Sequence, residues 1–327
     1  MAPDVESGSP AAPPPGPSPE RIAAITRALG EHYRLEVGAE GGVALLGRGG
    51  MASVYLAEDV RHDRWVAVKV LHAELSASIG PQRFLREIRI AAQLHHPHIL
   101  GLIDSGEAGG VLFYVMPFVS GESLRAHIEQ RGPLPVAEVV RLLREVVSAL
   151  GRAHKAGIVH RDIKPENILL EDRHALVTDF GVAKAVSEAT RHSGDTSIGF
   201  TLGTPAYMAP EQAAADEIDH RADLYAVGIV AYEMLTAALP FDARTPQQMI
   251  AAHLAKPPAP LRTKRPDVPQ AVEAVVMRCL AKEPDERWQT ADELLEALEA
   301  LPTGSALRPA LPDPPTLELP ASPAAQP

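Results

Sequence analysis

The stretch HRDIKPEN at residues 160–167, with the triplet Asp179-Phe180-Gly181 that follows it, decides how the rest of the chain is read. It supplies an acid, Asp162, then a lysine, Lys164, and an amide, Asn167, and the triplet adds a second acid. Two acids, an ammonium and an amide around one space suit a metal-bound nucleotide triphosphate, because magnesium prefers oxygen ligands and bridging phosphates. In-line transfer of a γ-phosphoryl group asks a protein mainly for position and charge neutralisation. On that reading Asp162 orients the acceptor hydroxyl and takes its proton, and Lys164 meets the γ-phosphate charge. Asn167 and Asp179 hold magnesium, and Gly181 lets the backbone turn sharply after Asp179.

Such chemistry calls for a phosphate-covering loop and a fixed cation upstream. Residues 33–70 read as strands, with Gly47-Arg48-Gly49-Gly50-Met51 between the apolar run 43–46 and the alternating run 53–57. A glycine-rich loop alone is a weak signal. Its place between two strands excludes the strand-to-helix setting of a dinucleotide fold. Val54 is placed to pack on a purine, and Lys69, on the next strand, to reach the α- and β-phosphates. The helix expected at 84–94 offers Glu87 as the anion that holds Lys69; the alternative is a solvated Glu87 paired with Arg86 or Arg89. His95, His96 and His98, around a proline, lack metal-site spacing and carboxylate partners and read as a polar-packed turn.

Further strands are expected near 99–105 and 111–116, then a connector at Met116-Pro117-Phe118-Val119 and a mainly helical remainder. Helices are expected at 122–130, 135–154, 209–213, 222–235, 246–254, 269–280 and 290–300. A helix from about residue 18 stops at Gly30 and reads as a packing element, and the Pro-rich segments 1–20 and 303–327 as disordered tails.

The chain has 327 residues, with 31 Lys plus Arg against 42 Asp plus Glu, a net charge of −11. That balance argues against nucleic acid or an anionic membrane surface as a main partner. The single cysteine, Cys279, forms no intrachain disulfide and reads as a buried apolar residue in a cytoplasmic protein. The N-terminus lacks a secretory pattern, and the apolar run 224–241 is broken by Glu233 and Pro240, so it reads as a core helix and no membrane insertion is expected.

With these motifs in hand, the chain resembles the eukaryotic-like (Hanks-type) serine/threonine protein kinases, in their bacterial branch, over residues 33–302. The motifs stand in the family's order: the glycine loop from Gly47, VAVK ending at Lys69, Glu87, HRDIKPEN, DFG and Ala209-Pro210-Glu211. The resemblance implies an α+β bilobal fold, with a small antiparallel-sheet lobe at 33–118 and a larger helical lobe at 119–302, the helix at 21–32 lying outside it. It implies ATP and Mg2+ as cofactors and protein substrates. Gly47, Arg48, Gly49, Gly50, Met51, Ala52 and Ser53 would cover the phosphates, and Leu46, Val54, Ala67 and Leu169 would sandwich the base. Met116 would be the gatekeeper, with the Pro117 carbonyl and the Val119 N–H reading the adenine edge. Asp223 would steady the catalytic loop, and Glu211 and Arg287 would form a structural ion pair.

The resemblance also implies Ser/Thr specificity, from Lys164 and Thr204, and autophosphorylation on the loop after Asp179, answered by Arg161. Candidate acceptors are Thr190, Ser193, Thr196, Ser197 and Thr201, with Thr196 and Ser197 first. Two copies would pair through their small lobes; the membrane span and sensor domain common in relatives are not expected here. Two departures stand out: Ala52 replaces a third loop glycine, and VGAEGGVA at 37–44 lengthens the first strand region. The rival readings are a pseudokinase or scaffold and a small-molecule kinase; the segment GTPAYMAPE, a ledge for peptide, favours a protein acceptor.

Overall fold

A computed structural model describes residues 19–38, 42–108, 110–181 and 205–302; the tails and the candidate phosphorylation sites lie outside the described residues. The strand-rich part forms a small lobe and the helical part a larger one.

In the small lobe β1 (Tyr33–Leu35) and β2 (Leu45–Arg48) both pair antiparallel with β3 (Ala52–Asp59). They are two halves of one interrupted edge strand. Glu36 N–H donates to Leu56 O, and Leu56 N–H donates to Ala44 O, so the chain between loops out of the ladder. A Val37–Val43 bridge and a 2.6 Å bond from Gly38 N–H to Gly42 O close its neck. The described flanks of the lengthened stretch, Val37-Gly38 and Gly42-Val43, thus pair with each other and leave β3 paired to β1 and β2 on either side of it. β3 continues to β4 (Arg64–Leu71), then β6 (Val111–Pro117), then β5 (Asp104–Ala108). The strand expected at 99–105 is thus displaced. Ile99 instead bridges to Val177, and Leu100 N–H donates to Val177 O, tying the large lobe to the small one.

Side-chain alternation splits the sheet into two faces. Tyr55, Ala57, Val66, Val68 and Val115 point away from the large lobe and pack on Ile25 and Leu29 of α1 (Pro19–Leu29). These two positions, four apart, share one face of the helix; burying such a side chain contributes about 1.5–3 kcal/mol. The helix ends at Gly30, whose φ of 61° is left-handed. The N-terminal helix, read from the sequence as a packing element, packs into the small-lobe core. On the opposite face Leu71, Leu112 and Tyr114 meet Leu75 of α2 (Ala73–Ile79), a helix the sequence did not suggest, and Phe84 and Ile88 of α3 (Pro81–Ala91).

The large lobe is built on α5 (Val136–Lys155) and the helix Arg221–Thr236. The latter is buried all round from Ala222 to Leu235, which explains an apolar run without helical periodicity. Among the described residues no helix is long and apolar enough to cross a membrane. At the junction of the lobes β7 (Glu122–Ser123), β8 (Ile168–Glu171) and β9 (His174–Val177) form a second sheet. Ser123 Oγ also caps α4 (Leu124–Arg131), accepting from Ala126 N–H at 3.2 Å. Gly121 is required there, because a Cβ would fall 1.6 Å from the Leu170 carbonyl oxygen.

Candidate active site

A cleft of about 730 Å3 opens between the lobes. Its roof is Leu46, Gly47, Arg48, Gly49, Gly50, Met51, Ala52 and Val54; Ala67, Lys69, Met116, Pro117 and Val119 line its back and hinge side. Asp162, Lys164, Asn167, Leu169 and Asp179 form the floor. Two of the expected residues do not line it. Ser53 faces the other side of β3 because alternate residues point in opposite directions, and its hydroxyl lies 3.3 Å from His72 Nε2. Glu87 is buried on α3, with Arg86 Nε 3.5 Å from its carboxylate.

The floor owes its geometry to buried polar groups. Asp223, 1% exposed, accepts the backbone N–H groups of His160 and Arg161 at 2.8 and 2.7 Å and lies 2.8 Å from His154 Nε2. Burial works to raise its pKa, but the hydrogen bond and charge of His154, with His160, overcome this and hold it below the usual carboxylate value. Arg161 can then take a left-handed φ of 67°, which a non-glycine residue keeps only when its surroundings impose it. His160 accepts from Asp162 N–H through Nδ1 at 3.3 Å and donates through Nε2 to Thr178 O at 2.7 Å, so its tautomer is set. Its ring meets Phe180 edge-on at 4.7 Å. The loop at 160–167 and the strand leading to Asp179 are thereby fastened to each other.

Within that frame Lys164 Nζ donates to Asp162 Oδ2 at 2.7 Å. Asn167 Nδ2 donates to the Asp162 carbonyl at 2.7 Å and to its carboxylate at 3.0 Å. The Asp162 carboxylate therefore has a fixed direction. Across the cleft Lys69 makes its ion pair with Asp179, where the sequence suggested Glu87. The cause is placement: both side chains face the same partly dry space, and Asp179 is the anion that Lys69 reaches. The other Asp179 oxygen, Oδ1, accepts from Tyr114 Oη at 2.5 Å. Burial would raise the Asp179 pKa, but Lys69 and the Tyr114 hydroxyl bring it below the ordinary value; burial and the Asp179 charge push Tyr114 well up. Asp179 has φ 70°, and Gly181 beside it packs so closely on α3 that a Cβ would sit 3.3 Å from Glu87 O.

Two contributors were not found from the sequence. Tyr114 gave no signal beyond an aromatic residue in a strand. His72 fastens the glycine loop: its backbone N–H donates to Met51 O at 2.8 Å, and its Nδ1 lies 3.0 Å from Gly50 O. The histidines at 96 and 98 do serve as polar packing, against Ser148 Oγ at 3.1 Å and Ala175 O at 3.0 Å.

Glu211 and Arg287 form the expected ion pair, bidentate at 2.7 Å on both arms. Gln212, next in the chain, donates to Arg161 O at 3.0 Å, so this pair anchors the segment at 205–214 beside the loop at 160–167.

The family model described as "Protein kinase domain" matches residues 42–298. The chain belongs to the Hanks-type protein kinase family, in its bacterial branch. Among its relatives, the serine/threonine-protein kinase pkn3 of Myxococcus xanthus is 38% identical over 293 residues, covering 87% of this chain and 52% of that protein. The serine/threonine-protein kinase PknD of Mycobacterium tuberculosis is 43% identical over 263 residues, 79% of this chain and 39% of that protein. This kinase chain thus spans about half or less of the length of these relatives. The PknI kinase domain of Mycobacterium tuberculosis, in a crystal structure of a mutant form, aligns with TM-score 0.65 and 32% identity, covering 82% of this chain and 95% of that one.

Proposed function

We propose that this chain is a protein serine/threonine kinase, transferring the γ-phosphoryl group of ATP to Ser and Thr hydroxyls of proteins, its own loop after Asp179 included. The observation that carries this reading is the Asp162 carboxylate, aimed by Lys164 and Asn167 into a cleft whose floor also holds Asp179 and whose back wall holds Lys69, paired with it. Asp162 accepts the hydroxyl proton, and Lys164, held 2.7 Å from it, meets the charge of the γ-phosphate. Lys69, paired with Asp179 across the cleft, is placed to hold the phosphates. Asn167 spends its amide nitrogen on Asp162, which leaves its amide oxygen for a cation. With the Asp179 carboxylate this is a hard-oxygen donor set of the kind magnesium takes. When bound, Mg2+ neutralises the phosphate charge. Leu46, Val54, Ala67 and Leu169 close on the base, Met116 bounds it at the back, and Pro117 and Val119 offer their backbone groups.

Thr196, Ser197 and Thr201 are the proposed autophosphorylation sites. A small-lobe pair of copies would have to use a surface other than the part of the sheet under α1. A reducing, cytoplasmic setting suits the buried Cys279 thiol, which burial pushes up to about 12. The test is transfer from γ-labelled Mg-ATP to a generic basic protein, followed by analysis of the labelled residue. Phosphoserine and phosphothreonine are expected; no transfer, as for a scaffold or a small-molecule kinase, or label on tyrosine, overturns the proposal.

A further inference from the structure

We propose that Tyr114 is a positioning residue for Asp179, and that its hydroxyl sets how readily this carboxylate takes a divalent cation. The inference rests on the kinase reading above, in which Asp179 is a metal-holding group. Alternation along β6 sends Val115 to the outer face and Tyr114 toward the cleft, directly opposite Lys69 in the β4–β6 register. Two donors from neighbouring strands therefore converge on one carboxylate, Tyr114 on Oδ1 and Lys69 on Oδ2. Tyr114 is 1% exposed, and its ring centroid is 6.4 Å from that of Phe84 on α3. One side chain thus joins the sheet, α3 and Asp179.

The two donors differ in what they do to an arriving cation. The Lys69 ammonium repels it and competes for Oδ2. The phenol is neutral and can keep Oδ1 while Oδ2 changes partner. Asp179 also needs an outside hold, since its φ of 70° is a conformation that non-glycine residues seldom keep unaided. Without the hydroxyl, the carboxylate has one donor fewer and leans more on Lys69. A cation must then displace a tighter ion pair from a less fixed ligand. The effect falls on metal-dependent binding and spares the contacts to the base.

The experiment uses the full chain and Tyr114→Phe, which keeps the ring against Phe84 and removes only the hydroxyl. ADP affinity is measured by calorimetry with chelator and across a magnesium series, with thermal melting of the same samples. The expected result is unchanged metal-free ADP affinity, with the magnesium concentration that half-saturates the enhancement of ADP binding raised about tenfold, the size of a lost hydrogen bond to a charged group. An unchanged magnesium dependence overturns the proposal, whether or not the melting temperature falls. Loss of a cooperative melt gives Tyr114 a folding role and overturns it too. Phosphate transfer by the unmutated chain is measured alongside: its absence defeats the kinase reading, whereas its presence with an unshifted Tyr114→Phe defeats only this inference.

Discussion

Truncating Arg287 to alanine tests how the ledge below the catalytic loop is held. Arg287 is fully buried. Its guanidinium N–H groups go to both oxygens of Glu211 at 2.7 Å, to Ala281 O at 2.9 Å, to Lys282 O at 2.8 Å and to Arg221 O at 3.2 Å. Its carbon centre stacks 4.9 Å over the Tyr225 ring. Arg287→Ala leaves a buried carboxylate without its partner, a defect that costs about 3–5 kcal/mol. For a domain of this size each kcal/mol lowers the melting temperature by roughly 2–4 °C, so a fall on the order of 10 °C is expected. The double variant Glu211→Met/Arg287→Met removes both charges and is expected to cost less than the single truncation, since no uncompensated ion remains. Urea unfolding of the three proteins measures the order. A single-variant loss under about 1 kcal/mol, or a double variant less stable than the single, would refute the reasoning.

Two further predictions follow the same logic. Buried His253 accepts from Tyr225 Oη at 2.9 Å and donates to Ala206 O at 3.1 Å, and burial with the Lys282 charge lowers its pKa from 6.5 to about 4. Its folded pKa lies below the unfolded one, so the unfolded chain binds the proton first and stability falls as pH drops from 6.5 toward 4, by about 2 kcal/mol at pH 5 from this group. His253→Gln should lose that increment of acid sensitivity, and identical urea midpoint shifts between pH 7.5 and pH 5 in both proteins would count against it. His72→Ala frees the Gly50 end of the phosphate-covering loop and is expected to raise KM for ATP several-fold, on the order of one lost hydrogen bond. His72→Gln should recover part of this; equal KM values in all three proteins would leave the latch without function.

The catalytic motifs were legible because their chemistry needs particular residue types at short local spacing. Asp162, Lys164 and Asn167 lie within one loop, and no tertiary information is needed to bring them together. The Lys69 partner was less accessible: whether it meets Glu87 or Asp179 depends on how α3 and the loop before Gly181 sit against the sheet. Tyr114 and His72 were invisible for a related reason, since their roles require the β4–β6 register and the fold of the glycine loop back onto the end of β4. The misplaced strand has a plain cause. Ile99 and Leu102 are apolar because they pack against the large-lobe core, Leu100 because it packs on the sheet face beside α2 and α3, and Ile103 because it joins the cluster under α1, whereas Asp104–Ala108, poor in strand-favouring residues, is a strand because it pairs with β6. The short strands β8 and β9 escaped because a tight turn joins them, with Asp172 and Arg173 at positive φ where glycine would have marked it.

If Asp162 carries the phosphoryl transfer in a cleft that binds nucleotide independently of it, removing its charge stops transfer and spares binding. Single-turnover transfer from Mg-ATP, measured beside nucleotide affinity for the unmutated chain and Asp162→Asn, tests this most directly. The expected result is affinity unchanged within a few-fold and a transfer rate reduced about 100-fold or more, as for loss of a general base. Transfer by Asp162→Asn at the unmutated rate, or an unmutated chain that binds Mg-ATP and transfers nothing, would contradict it.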